Sequence, residues 1–149
     1  MLRTLAACAA LTLMSGTAMT DAARAEGVSH KIAIHVDDSD MRVMNMALNN
    51  AENARSYFAS IGDTVELELV AYGPGLQMFV KDQSPVAARI AAMSLEFEEI
   101  QFSACGNTIK NMAKKLGHEP VLIEEAEVVP SGVARLVELQ EDGYSYIRP

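Results

Sequence analysis

Apolar residues along this chain recur with two different periods, and the two alternate. In HKIAIHVD, residues 30–37, Ile32, Ile34 and Val36 face one way and Ala33 and His35 the other, the pattern of a strand buried on both sides. From about Met41 to Ser60 the spacing becomes helical, with Met44, Leu48, Ala51 and Phe58 on one face, polar residues between them, and Gly62 as the stop. VELELVAYG, residues 65–73, is a second strand that runs into a Gly73-Pro74-Gly75 turn. Ser84 followed by Pro85 reads as a cap with proline at the first helical position, so a helix is predicted from there to about Leu95. EIQFSACG gives a third strand, and NTIKNMAKKLG a helix with Ile109, Met112, Ala113 and Leu116 on one side and Gly117 at its end. AEVVP is a short fourth strand, Ser131 caps a helix carrying Val133, Leu136 and Val137, Gly143 ends it, and YSYIRP is a fifth strand. No internal repeat or low-complexity segment interrupts this order.

Strands alternating with helices of ten to twenty residues imply right-handed crossovers and a parallel sheet covered on both faces. The predicted fold is therefore a three-layer α/β/α sandwich around a five-stranded, mainly parallel sheet. In such sheets ligands and reactive groups gather beyond the C-terminal ends of the strands, where helix N-termini point.

The first residues follow another logic. Arg3, the apolar stretch LAACAALTLM and the site Ala23-Arg24-Ala25 form a secretory signal peptide, with cleavage expected after Ala25 and a cut after Ala18 as the alternative. Its apolar run is too short to span a bilayer. LAAC mimics a lipoprotein box, but such a box follows the apolar region, and here almost none precedes it. The expected product is one domain, residues 26–149, exported and soluble in the periplasm. Without Arg3, Arg24 and Asp21 the 12 basic and 20 acidic residues become 10 and 19, so the acidic balance makes nucleic acid an unfavourable partner, and no later segment is apolar enough for a membrane. Removing Cys8 leaves Cys105 as the one cysteine, so no disulfide can form within the chain.

Cys105 ends the third strand just before a helix, where backbone N–H groups and the helix dipole favour a thiolate. Gly106 would leave the sulfur open, and Asn107 or Thr108 would cap the helix or present a polar group to something bound at sulfur. The plainer reading is that a free cysteine often serves as a small buried hydrophobe. His35, near the end of the first strand, is placed to reach the same edge, where an imidazolium would stabilise a thiolate; the plainer reading is an interior histidine with satisfied hydrogen bonds. The Gly73-Pro74-Gly75 turn is expected to wall a shallow pocket at Cys105 together with the first turn of the Asn107 helix, open to a partner's flexible cysteine-bearing arm. Asp37-Asp38 resembles the acidic pair of a response-regulator receiver, but Cys105 stands where a phosphate-accepting aspartate would be, so a turn and cap role is expected. No phosphate-binding loop follows any strand, and His30, His35 and His118 show no metal-ligand spacing, so neither metal nor cofactor is expected. Met41, Met44, Met46, Met78, Met93 and Met112 mostly follow core spacing.

The segments HVDD, VELELVAYGPGLQMFVKD, IQFSACGNT and AEVVPSGVARLVELQEDGYSYIRP, in that order, resemble the DsrE/DsrF-like sulfur-relay family over about residues 30–149. The most specific parts are Ala104–Thr108 and Val129–Pro149. The resemblance implies a DsrE-like, Rossmann-like domain with a five-stranded parallel sheet. It also implies that Cys105 carries sulfur as a persulfide, that the partners are sulfur-donor and sulfur-acceptor proteins or small thiols, and that the chain forms a homotrimer or hexamer with the cysteine near subunit boundaries. Three functional classes follow: a periplasmic sulfur carrier, a non-catalytic oligomeric binding module with a structural thiol, and a thiol enzyme with its own small substrate. The absence of a second, resolving cysteine weighs against a dithiol mechanism.

Overall fold

The computed structural model describes residues 27–149, so the signal peptide and Cys8 lie outside the described residues. The chain runs β1 (Ser29–Val36), α1 (Met41–Ser60), β2 (Thr64–Ala71), a 3-10 helix (Gly73–Phe79), α2 (Ala87–Glu96), β3 (Ile100–Cys105), α3 (Gly106–Leu116), β4 (Ala126–Val129), α4 (Gly132–Glu141) and β5 (Ser145–Ile147). The sheet order is β4-β3-β2-β1-β5, and every pair is parallel.

Right-handed crossovers explain how the helices are distributed. From β1 to β4 the chain steps across the sheet in one direction, so α1, α2 and α3 share one face. The step from β4 to β5 goes back past β1, so among the described residues α4 is the one helix on the other face, across β3, β2, β1 and β5. Alternation sorts the strand residues accordingly. Ile32, Ile34, Val36, Leu67, Leu69, Phe102 and Ala104 form the main core with Met44, Leu48, Ile90 and Met93. Ala33 and Val70 pack with Leu136 and Leu139 of α4 in a smaller cluster on the opposite face. Glu68, Ser103, His35 and Cys105 are buried among the residues of this second face by the same alternation.

Several local expectations are corrected. The Gly73-Pro74-Gly75 stretch is not a plain turn but the start of a 3-10 helix. α2 begins at Ala87, two residues after Pro85, with Val86 at its N-cap; Ser84 instead uses its hydroxyl on the Met78 carbonyl and the Val86 N–H within the preceding turn. Asp40 rather than Asp37 or Asp38 caps α1, accepting from Arg42 N at 2.8 Å, while Asp38 accepts from Asp40 N and Asp37 pairs with Arg148. The N-cap of α3 is Cys105 itself, not Asn107 or Thr108. Val133 and Val137 point outward from α4, 60% and 52% exposed, whereas Leu136 is buried as expected and is joined by Leu139. Of the methionines, Met44, Met78 and Met93 are core residues, whereas Met41 and Met46 lie on the exposed side of α1.

Gly75 locks the 3-10 helix to β1, because a Cβ there would overlap the Val36 carbonyl, whose carbon would lie 2.6 Å away. The backbone must move to admit a methyl group, and overpacking of this kind costs about 1–3 kcal/mol. Gly75→Ala is expected to lower the unfolding free energy by that amount, read as a lower urea midpoint with an unchanged slope; an unaltered midpoint would show that the two segments separate freely.

Candidate functional site

The C-terminal ends of β1, β2 and β3 bring His35, Tyr72 and Cys105 onto the α4 face. Ala71 pairs with Ala104 in the register, so the next residues along, Tyr72 and Cys105, lie side by side. α4 begins directly over them: a Cβ built on Gly132 would sit 3.1 Å from Cys105 Cβ and 3.0 Å from the Tyr72 ring. A methyl group there would require the Cys105 or Tyr72 side chain to give way by a few tenths of an ångström.

The thiol consequently lies between the first turns of two helices. Cys105 occupies the N-cap of α3 in an extended conformation, φ −71° and ψ 112°, where the side-chain oxygen of a serine or aspartate would accept from the second and third helical N–H groups. Its sulfur makes no capping bond of ordinary geometry. Burial works to raise its pKa, but the Thr108 hydroxyl and the N–H groups of Gly132, Thr108 and Asn107 act in the opposite sense, and the net shift is downward. The Thr108 hydroxyl is itself oriented. Gly73 N donates to Thr108 Oγ1 at 3.0 Å, which leaves the hydroxyl proton free to point at sulfur. Gly73 adopts φ +53°, a conformation glycine tolerates without strain, so the turn that donates this N–H depends on it.

The sequence-derived site residues fall into place unevenly. Cys105 is 5% exposed, not openly accessible. Gly106 allows the end of β4 to approach, with Val129 O 3.1 Å from where a Cβ would stand. Asn107 and Thr108 contribute N–H groups as described. Gly73 and Pro74 wall a cleft of about 390 Å³ with Gln77, Thr108, Asn111 and Lys115, but Cys105 does not line it, and Gly75 is buried beneath. The expected pocket therefore lies beside the thiol, with Thr108 between them.

His35 belongs to a neighbouring group and not to the thiol's own contacts. Its ring packs on Tyr72 with centroids 4.4 Å apart, and Nδ1 shares a 2.7 Å hydrogen bond with the Tyr146 hydroxyl. Nε2 is buried and finds no hydrogen-bond partner among the described residues. Burial lowers its pKa, with Arg148 acting in the same direction and Asp37 against it, so an imidazolium at this position is disfavoured. Tyr72 thus stands where the imidazolium was expected, and burial, then the charge of Asp37, raises its pKa and keeps the phenol neutral.

Sequence reasoning overlooked Tyr72, Gly132 and a buried ion pair. Glu68, 2% exposed, accepts from Arg135 Nε at 2.8 Å, from Arg135 Nη2 at 2.7 Å and from Ser103 Oγ at 2.6 Å. One signal was available: a glutamate in a strand covered on both faces needs a buried partner. The identity of that partner, 67 residues away, was not available.

Because the folded pKa of Cys105 is depressed, the thiolate's contribution to stability is fully present above the ordinary value and is lost as pH falls through the folded one. Alkylation rate against pH is expected to give an apparent pKa below the free-cysteine value of about 8.5. Thr108→Val, which keeps the shape and removes the hydroxyl, is expected to raise it by roughly half a unit to one unit. A wild-type value at or above that of free cysteine, or no change in the variant, would show that these donors do not act on the sulfur.

A solved structure of a protein of unknown function from Methanobacterium thermoautotrophicum is similar to this chain, with a TM-score of 0.70 and 27% identity over 80% of this chain and 99% of that one. No curated protein matches the chain. Among the described residues no helix is long and apolar enough to cross a membrane. Residues 18–149 match the DsrE/DsrF-like family, generally sulfur-relay proteins, and with most of its length so matched the chain belongs to that family.

Proposed function

We propose that this protein is a periplasmic sulfur carrier in which Cys105 accepts a sulfur atom as a persulfide and hands it on. The observation that supports the reading is the thiol at the meeting of two helix N-termini, its pKa lowered despite burial. Membership of a family of sulfur-relay proteins supplies the chemical class. In the loading step the Cys105 thiolate attacks the terminal sulfur of a donor persulfide. A bond forms between the two sulfurs, the donor's own S–S bond breaks, and the donor leaves as a thiolate. Delivery is the same displacement by an acceptor thiolate, so no external oxidant or reductant is consumed. N–H groups and the Thr108 hydroxyl that stabilise the thiolate also stabilise the anionic persulfide one atom further out. A residue 5% exposed suits a slender sulfur-bearing donor, a small persulfide or a cysteine on an extended segment, better than a folded surface.

Residues 1–25 are the proposed cleaved leader and residues 26–149 the working domain. Incubation of the mature protein with a sulfur donor is expected to add about 32 Da per sulfur, removable by reductant and absent in Cys105→Ser. Burial of Cys105 favours a second reading, an oligomeric binding module whose thiol is structural. Failure of the wild type to gain mass with any donor would establish that reading instead.

The carrier is further proposed to be a homotrimer or hexamer. Val128, Val133 and Val137, 60%, 60% and 52% exposed on β4 and α4, are the apolar surface that subunit contacts would cover. Light scattering is expected to show a trimer or larger, and a monomer at about micromolar concentration would remove the claim.

A further inference from the structure

Arg135 takes no part in the sulfur chemistry proposed above, yet its guanidinium ends on a carboxylate buried in the sheet. Glu68 lies in mid-strand on β2, and Ser103 lies on β3 two residues before Cys105, on the same face. Arg135 spans the gap from α4 with Nε on one carboxylate oxygen and Nη2 on the other. Along α4 it is one turn beyond Gly132, and its own N–H closes that turn on the Ser131 carbonyl at 2.9 Å. Ser131 Oγ caps the same turn at Ala134 N. The start of α4 is therefore a rigid unit fixed to the sheet at one side chain, with its glycine pressed against Cys105 and Tyr72.

We infer that Glu68 and Arg135 are positioning residues for Cys105: their fork, completed by Ser103, seats the first turn of α4 on β2 and β3 so that Gly132 N–H is held at the sulfur. The inference rests on Cys105 being the reactive group. Leu136 and Leu139 give α4 apolar adhesion, but such contact is non-directional and leaves the helix free to slide by fractions of an ångström. A bidentate guanidinium–carboxylate pair fixes both distance and rotation. The groups that act on the sulfur are the Thr108 hydroxyl and the N–H groups of Thr108 and Asn107 from α3 and Gly132 N–H of α4, with the Tyr72 side chain just after β2 against the same glycine; none of them carries a charge. Moving Gly132 therefore changes the sulfur's surroundings more than a neutralised pair two residues down the sheet can.

A direct field effect and a docking effect have opposite signs for one variant. Glu68→Gln removes a negative charge and leaves Arg135 cationic, so field alone would lower the apparent pKa of Cys105. Loss of docking would raise it, because a Gly132 N–H no longer faces the thiolate.

The test is alkylation of the mature protein with iodoacetamide across pH, without any sulfur donor, alongside urea unfolding of each variant. Glu68→Gln is expected to raise the apparent pKa of Cys105 by about half a unit or more, and Arg135→Met to raise it further. Leu139→Ala, which removes a fully buried side chain at the far end of α4, is expected to lower stability while leaving the apparent pKa within about 0.2 unit. A fall in the value for Glu68→Gln, no change in it, or a shift for Leu139→Ala as large as that for Glu68→Gln would each overturn the inference. Should Arg135→Met fail to fold, Ser103→Ala, which weakens the fork by one hydrogen bond, is expected to give a smaller rise of the same sign, and its absence would be equally decisive. Sulfur loading is measured separately, so a wild type that never loads would remove the carrier reading while the alkylation comparison still decides the role of the pair.

Discussion

A carboxylate in the middle of a sheet is the constraint around which the α4 face is built. Removing an ion from water costs several kcal/mol, and attraction to a partner offsets this only when the geometry is good and the remaining lone pairs are satisfied. Glu68 meets those terms with two bonds from Arg135 and one from Ser103. An apolar pair of similar volume would serve stability as well. What the ion pair adds is a fixed point on a face that, among the described residues, is covered by α4.

That arrangement follows from topology. Three crossovers run one way and place three helices over the main core; the fourth returns and lays α4 on the opposite face. The return also sets β5 beside β1, where the strand order reverses and where parallel sheets commonly open a ligand crevice. Here the protein's own residues fill that position. Tyr146 bonds to His35, and Arg148 grips Asp37 through two bonds of 3.1 and 2.9 Å. The proposed sulfur chemistry lies two strands away, at the end of β3, where the first turns of α3 and α4 converge.

The electrostatics there are those of dipoles and not of ions. A thiolate is often supported by an imidazolium or a lysine. In this protein the nearest histidine is buried, biased toward the neutral form and separated from the sulfur by a tyrosine. Stabilisation comes from oriented N–H groups and one hydroxyl, which are fixed in place and need no counter-charge. Such a site favours an anion at sulfur held by hydrogen-bond donors and not by a counter-ion, which suits the proposed uptake and release of a sulfur atom by displacement.

Much of the architecture was legible in the chain because it is local. Alternation in HKIAIHVD gave the two faces of β1 correctly, helical spacing gave α1, and Gly117 and Gly143 ended their helices with positive φ as expected. The position of Cys105 at a strand-to-helix junction was equally local. Cap identities failed where one residue's side chain had two possible uses, as with Ser84 and Asp38, because local hydrogen bonds of similar energy compete and packing selects between them. What the tertiary structure alone decided is everything carried by α4. Glu68 and Arg135 are 67 residues apart, Cys105 and Gly132 are separated by a helix and a strand, and Tyr72 comes from a third segment. Each residue is unremarkable in its own window. Their meeting depends on the hand and direction of four crossovers, a property of the whole sheet that no local period encodes.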